Sequence, residues 1–187
     1  LTNKPYASST GSKTYFEVDA NLFMKLSRDE HFVSPFLSLG VGGSVLNATT
    51  SGQFNTAVGA NALLMNANGS SNVAVGQSLV GNVSGDNNIG IGNAGSALVS
   101  GDHNIMLGDA ANCSATSNDT IAIGSTATAG LNDAIAIGNT SAASANMSIA
   151  VGKDSVANVL DGVAIGRGAT TNAIANSIAI GPTASPI

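Results

Sequence analysis

A four-residue word recurs along the chain at nearly constant spacing. It consists of an aliphatic residue (Thr56 in the second copy), a small residue in most copies, a second aliphatic residue and glycine, and it occurs ten times in the 187 residues. Successive closing glycines stand 14 to 17 positions apart. Repeats this short cannot each enclose a core, so neighbouring repeats must bury one another. The closing glycines are Gly42, Gly59, Gly76, Gly92, Gly108, Gly124, Gly138, Gly152, Gly166 and Gly181.

Each word predicts a short β-strand. Its β-branched residues alternate with small ones at a period of two, and its glycine allows a turn where a Cβ would clash. The Asn, Ser, Asp and Gly residues between words are typical of turns. A weaker second strand is expected after each glycine, where small residues such as Ala127 and Ala129 alternate. The pattern therefore predicts an all-β fold, a parallel β-solenoid of about ten short coils.

Both faces of the word strand are apolar, because Ile or Val occupies one face and Ala, Gly or Met the other. We assign the branched residues to the core of the coil, so that a charge at Ile137 should break the stack. The alanine-rich face then needs a second cover, since such strands are normally buried on both sides. Self-association about a rotation axis would supply it, which predicts a homotrimer. The core aliphatics are Val75, Ile91, Ile123, Ile137, Val151, Ile165 and Ile180.

The composition divides the chain into two units. All five Phe and both Tyr lie within residues 1–54, whereas from residue 37 onward two basic residues face seven Asp. We predict a non-repeat, aromatic-containing N-terminal module at residues 1–37 and the repeats at residues 38–187. The module is expected to be either a cap on the solenoid or a docking element for a larger body.

Charge and residue usage exclude several classes of function. A net charge of −5 argues against nucleic-acid binding, which needs clustered Lys and Arg. The sequence has no run of about 18 apolar residues, so we expect no direct insertion into a membrane. The single cysteine, Cys113, forms no intrachain disulfide and is expected to be a small buried residue.

No residue pattern predicts catalysis, a cofactor or a metal site, and we expect that the protein is not an enzyme. His31 and His103 have no further His or Cys to complete a metal set, and His103 replaces a turn asparagine of the preceding coil. Stacked turns could align carboxylates for Ca²⁺, but the glycine-rich pattern of calcium-binding β-rolls is missing. Those turn residues are Asp86, Asp102, Asp109, Asp119 and Asp133.

Two of the words carry a family resemblance. The segments Ser148-Ile-Ala-Val-Gly-Lys153 and Ser177-Ile-Ala-Ile-Gly-Pro182 resemble the repeat of the YadA-like head of trimeric autotransporter adhesins. Over residues 38–181 the resemblance implies a left-handed, trimeric, parallel β-roll with coils near 14 residues. The longer early copies, such as residues 52–63, also resemble repeats of phage and large-virus tail fibres, which likewise implies a trimeric fibre.

The resemblance implies a non-enzymatic trimeric fibre on a virion or cell surface that attaches to a host or decorates the particle. Its partner would be a capsid or tail protein bound through residues 1–37, or a host surface protein or glycan. The alternative is the excised head of a bacterial adhesin that binds a matrix protein or glycan. No sustained heptads or barrel strands of such an adhesin are found, which favours the virion.

The sequence does not identify the ligand-binding residues. Lys153, Asp154 and Arg167, which follow corner glycines, are the best candidates. Two other solenoid classes fit less well. Hexapeptide acyltransferases use coils of about 18 residues, and ice-binding solenoids need regular Thr columns.

Overall fold

The computed structural model describes residues 37–39 and 52–186, so residues 1–36, which make up nearly all of the predicted N-terminal module, lie outside the described part. The described residues form fifteen β-strands. None of the described residues belongs to a helix long and apolar enough to cross a membrane. The strands are β1 (Leu37–Leu39), β2 (Thr56–Val58), β3 (Val73–Gly76), β4 (Ile89–Asn93), β5 (Ile105–Asp109), β6 (Asn112–Cys113), β7 (Ile121–Ile123), β8 (Thr128–Ala129), β9 (Ile135–Ile137), β10 (Ala142–Ala143), β11 (Ile149–Val151), β12 (Val156–Ala157), β13 (Val163–Ile165), β14 (Thr170–Thr171) and β15 (Ile178–Ile180).

The strands form two parallel sheets, one on each side of a flat coil. The word strands make a ten-stranded sheet in the order β1-β2-β3-β4-β5-β7-β9-β11-β13-β15, and the second sheet runs β14-β12-β10-β8-β6. Equivalent word positions pair from coil to coil, as Ile135 pairs with Ile149 and Ile149 with Val163. The predicted all-β parallel β-solenoid is confirmed, with about eight turns.

The first word is displaced from its predicted position. Strand β1 ends at Leu39, and its Leu37 pairs with Thr56, whereas the predicted word begins at Leu39 and closes at Gly42. Two overlapping segments fit the pattern here, and the pairing selects the earlier one. Gly42 itself lies outside the described residues.

The assignment of the coil interior was wrong, because alanine and not isoleucine fills it. Ala122, Ala136 and Ala150 at the small word positions are fully buried, while Ile137 is 36% exposed and points outward. The reason is volume: in a 14-residue coil, two walls joined by tight turns leave room only for small side chains. The residues predicted as core aliphatics therefore line the outer surface of the single chain, and a charge at Ile137 does not enter its interior.

The early coils are wider and are filled differently. Up to Gly124 the corner glycines are 16 or 17 residues apart, and the larger side chains of Leu63, Leu79, Leu98 and Met106 are fully buried. The predicted second strand is found only from Asn112 onward. In the described coils before that point, the equivalent segments are turns and bends.

A buried asparagine ladder supports these wide coils. The Asn88 backbone N–H donates to Asn72 Oδ1 at 2.9 Å, and the Asn104 N–H donates to Asn88 Oδ1 at 2.9 Å. Each amide group also donates to a backbone carbonyl, as Asn88 Nδ2 does to Gly101 O at 2.8 Å. The ladder satisfies backbone groups that would otherwise be buried without partners, and it ends where Thr120 donates its N–H to Asn104.

Replacing Ala136 by leucine should destabilise the coil, since Ala136 is fully buried between alanines of the adjacent strands. Overpacking of this kind costs about 1–3 kcal/mol, which urea unfolding followed by circular dichroism would measure. Ile135→Leu, one residue away on the outer face, is the matched control and should change the free energy of unfolding by much less. Equal effects of the two substitutions would contradict the assignment of the interior.

Candidate functional site

Among the residues that the structure describes, the most distinctive surface is the outer face of the ten-stranded sheet. Two columns of mostly branched side chains run along it, and we call them together the aliphatic face. All of its members are half-buried or exposed, and Ile180 in the last strand is 68% exposed. The first column is Val73, Ile89, Ile105, Ile121, Ile135, Ile149, Val163 and Ile178, and the second is Val58, Val75, Ile91, Leu107, Ile123, Ile137, Val151, Ile165 and Ile180.

Parallel, in-register pairing produces this face, because it places each residue beside its equivalent in the next coil. Branched side chains pack well in such columns, and no charged residue occupies a position in either column. At about 4.8 Å per strand the two columns extend over roughly 40 Å and cover on the order of 400 Å². A contiguous apolar patch of that size on a monomer is often a contact site.

The corner glycines hold successive coils close together. Gly124 has φ of +128° and Gly138 has φ of +136°, and a Cβ built on Gly124 would lie 2.5 Å from the Gly138 carbonyl oxygen. A side chain there would push the coils apart and strain the backbone. These glycines therefore have a structural role, and they keep the aliphatic columns in register.

Two of the five aspartates considered for Ca²⁺ accept hydrogen bonds from backbone N–H groups, and Asp109 accepts one from Asn93 Nδ2. Asp86 Oδ1 accepts the Ser70 N–H at 2.6 Å, and Asp102 Oδ1 accepts the Asp86 N–H at 2.8 Å. Asn118 continues the same column with an amide in place of the carboxylate. Within residues 37–39 and 52–186, no group of three or more His, Cys, Asp or Glu side chains could hold a metal ion.

His103 lies in an exposed turn column. Its Nδ1 is 3.7 Å from Asp119 Oδ1, and both side chains are about 60% exposed. On the other side, Asn87 Nδ2 lies 3.4 Å from His103 Nε2. The residue has φ of +58°, a conformation that asparagine also tolerates, so its surroundings are those of a turn residue. His31 lies outside the described residues.

Cys113 is buried in the second sheet, where it pairs with Ala129. Its Sγ lies 3.3 Å from Met106 Sδ. Burial raises the pKa of the Cys113 thiol, and hydrogen bonds to the Ser117 and Thr120 side chains oppose this shift only in part. The thiol is therefore held in its protonated, unreactive form.

The three candidate ligand-binding residues lie together at the glycine corners. Lys153, Asp154 and Arg167 are exposed, and Lys153 Nζ is 3.9 Å from Asp154 Oδ2. Asp154 also accepts a hydrogen bond from Thr140. Arg167 lies one coil further along, and no hydrogen bond or ion pair joins its side chain to another residue in the described ranges.

Sequence reasoning missed the asparagine ladder, although a signal was present. Asn55, Asn72, Asn88 and Asn104 each stand directly before a word strand. Asparagines that recur once per coil, each directly before a strand with buried residues, indicate that their amide groups form a hydrogen-bonded ladder.

Comparison with protein-family models gives no match, and comparison with curated proteins gives no significant match.

Native Cys113 should react with an aromatic disulfide reagent at least about a hundredfold more slowly than the urea-unfolded chain, because modification requires opening of the coil. Absorbance of the released thiolate measures the rate, with Cys113→Ser as the blank. The raised pKa of Cys113 means that the folded state disfavours the thiolate. The buried neutral thiol therefore contributes its full stability at a pH below the pKa of the thiol in the unfolded chain, and this stability is lost as the pH rises through the pKa of the thiol in the folded chain. Equal rates for native and unfolded protein would contradict the burial.

Proposed function

We propose that the chain is a non-enzymatic fibre protein that assembles as a homotrimer and projects from a virion or a cell surface. The observation that carries the proposal is the aliphatic face. Its strands are parallel, it carries no charged side chain along its length, and nothing within residues 37–39 and 52–186 covers it. Sheets of parallel strands are normally buried on both faces.

A second copy of the same chain fits the aliphatic face better than an unrelated partner. The side chains of the two columns recur at a fixed distance along the rod. A complementary surface must have the same repeat distance, and a second copy of the chain has it. Closed rotational symmetry lets one surface meet copies of itself without leaving an unpaired end. The number three follows from the resemblance of the repeats to YadA-like heads and tail fibres.

The proposed role is attachment or decoration rather than chemistry. A trimeric rod offers three equivalent copies of each outer surface, so weak contacts gain affinity by multivalency. Residues 1–37, which hold most of the aromatic residues, would dock the rod to a capsid or tail protein. The alternative is an adhesin head that presents the same rod to a host matrix protein or glycan, and the SIAIG-type words favour this reading as much as the first.

The substitution Ile137→Asp tests the assembly. We expect wild-type protein to have three times the 18.3 kDa chain mass in light scattering at micromolar concentration. The variant should dissociate, because three unpaired carboxylates would be buried at the contact, while its circular dichroism still shows β-structure. Thr128→Asp, on the outer side of the second sheet, is the matched control and should stay trimeric. A wild-type protein with the mass of one chain would refute the proposal.

Fractionation of the native source tests the location. An antibody against residues 38–181 should detect the chain either in purified virus particles or in the outer envelope of cells. A band in particles would support the virion fibre, and a much longer envelope chain would support the adhesin head. Detection only in the soluble interior of cells would exclude both.

A further inference from the structure

Among the described residues, the two edges of the flat coil differ in charge: the charged residues of one are all acidic, and the other carries acidic and basic residues together. The leading edge consists of the turns that precede the word strands, and the trailing edge consists of the turns that follow the corner glycines. The leading edge carries the carboxylates Asp86, Asp102, Asp119, Asp133 and Asp161. The trailing edge carries Asp109, Lys153, Asp154 and Arg167, which include the only Lys and Arg among the described residues.

Strand β13 has an acidic residue at its start, on the leading edge, and a basic residue at its end, on the trailing edge. Asp161 lies in the turn just before β13, and Arg167 lies in the turn just after it. Both side chains are exposed. Neither has an ion-pair partner within residues 37–39 and 52–186, whereas Lys153 already has Asp154 beside it.

In the proposed trimer, three copies turn their aliphatic faces toward a common axis that is parallel to the rod. The symmetry of this arrangement determines which edges of neighbouring copies meet. Every word strand then runs across the face in the same rotational sense, so the trailing edge of each copy lies against the leading edge of the next. Rotation without translation keeps equivalent strands at the same height. The end of β13 in one copy is therefore brought to the start of β13 in its neighbour.

We propose that Arg167 of each copy pairs with Asp161 of the next copy, and that this contact sets the parallel, in-register arrangement of the chains. The inference rests on the trimer proposed above and names the side chains that meet at its edges. Antiparallel copies would place leading edge on leading edge and bring rows of carboxylates together. Like charges in such a contact are unfavourable and exclude wrong arrangements.

Disulfide trapping tests the pairing in the full chain with Cys113→Ser as background. The double variant Arg167→Cys/Asp161→Cys should form covalent trimers on non-reducing gels, and each single variant should stay uncross-linked. Co-expression of the two single variants should give a covalent dimer. Asp161→Cys combined with Thr128→Cys is the matched control and should give no cross-link, because Thr128 lies on the other sheet.

The outcomes separate this inference from the proposal on which it rests. A trimeric mass with cross-links only between identical positions, or with none, would overturn the Arg167–Asp161 pairing and leave the trimer standing. A monomeric mass would overturn both.

A charge swap provides a second test. Arg167→Asp should raise the concentration at which the trimer dissociates by roughly threefold to tenfold, since one exposed pair is lost at each of three contacts. The swapped double variant Arg167→Asp/Asp161→Arg should recover most of the loss, and both effects should shrink at high salt. No recovery in the swapped variant would contradict the pairing.

Discussion

Each coil is stacked directly on the next, so that every residue lies beside the residue at the same position of the neighbouring coil. This repetition limits the residue type that each position can hold. A residue at the glycine corner meets the next corner glycine, and the carbonyl oxygen of Gly138 would lie only 2.5 Å from a Cβ on Gly124. A side chain that points into the coil contacts the equivalent side chain of the next coil, and both must fit into the small volume between the two walls. A polar residue must be able to donate to and accept from a copy of itself one rung away. Glycine at the corners, alanine inside and asparagine beside the strands each satisfy this condition.

The condition also explains why the coil changes width along the chain. Asparagine has both a donor and an acceptor, so it can form a continuous ladder and replace backbone contacts in a wide turn. Leu63 and Leu79 occupy the extra volume that the wider coils enclose. Once the coils shorten to 14 residues, Ala134, Ser148 and Gly162 occupy the asparagine position. The regular second sheet starts earlier, with β6 (Asn112–Cys113), in a coil that still has 16 residues. The ladder and the second sheet therefore overlap in that coil, where Asn104 Oδ1 still accepts the Thr120 N–H.

Sequence periodicity predicted the strands, their parallel stacking and the two apolar faces, because alternation and spacing depend only on local backbone geometry. It did not predict which face is inside. Both faces are apolar, so hydrophobicity could not separate Ala136 from Ile137, and only the volume enclosed by a 14-residue coil decides between them. For this reason the sequence placed the contact between chains on the alanine-rich face, whereas the structure exposes the branched residues. The position of the first word was also ambiguous, since two overlapping segments fit and only pairing with Thr56 distinguishes them.

The reversal of the two faces changes the chemistry of the proposed contact between chains. An alanine surface would allow close approach but would remove little apolar area from water, whereas branched side chains remove much more for the same length of rod. A contact made of identical columns has little preference for register, because a shift by one rung replaces isoleucine with isoleucine. Register must therefore come from features that do not repeat in every coil. Charges on the two edges vary from coil to coil, and so they are the groups that can align one chain with the next.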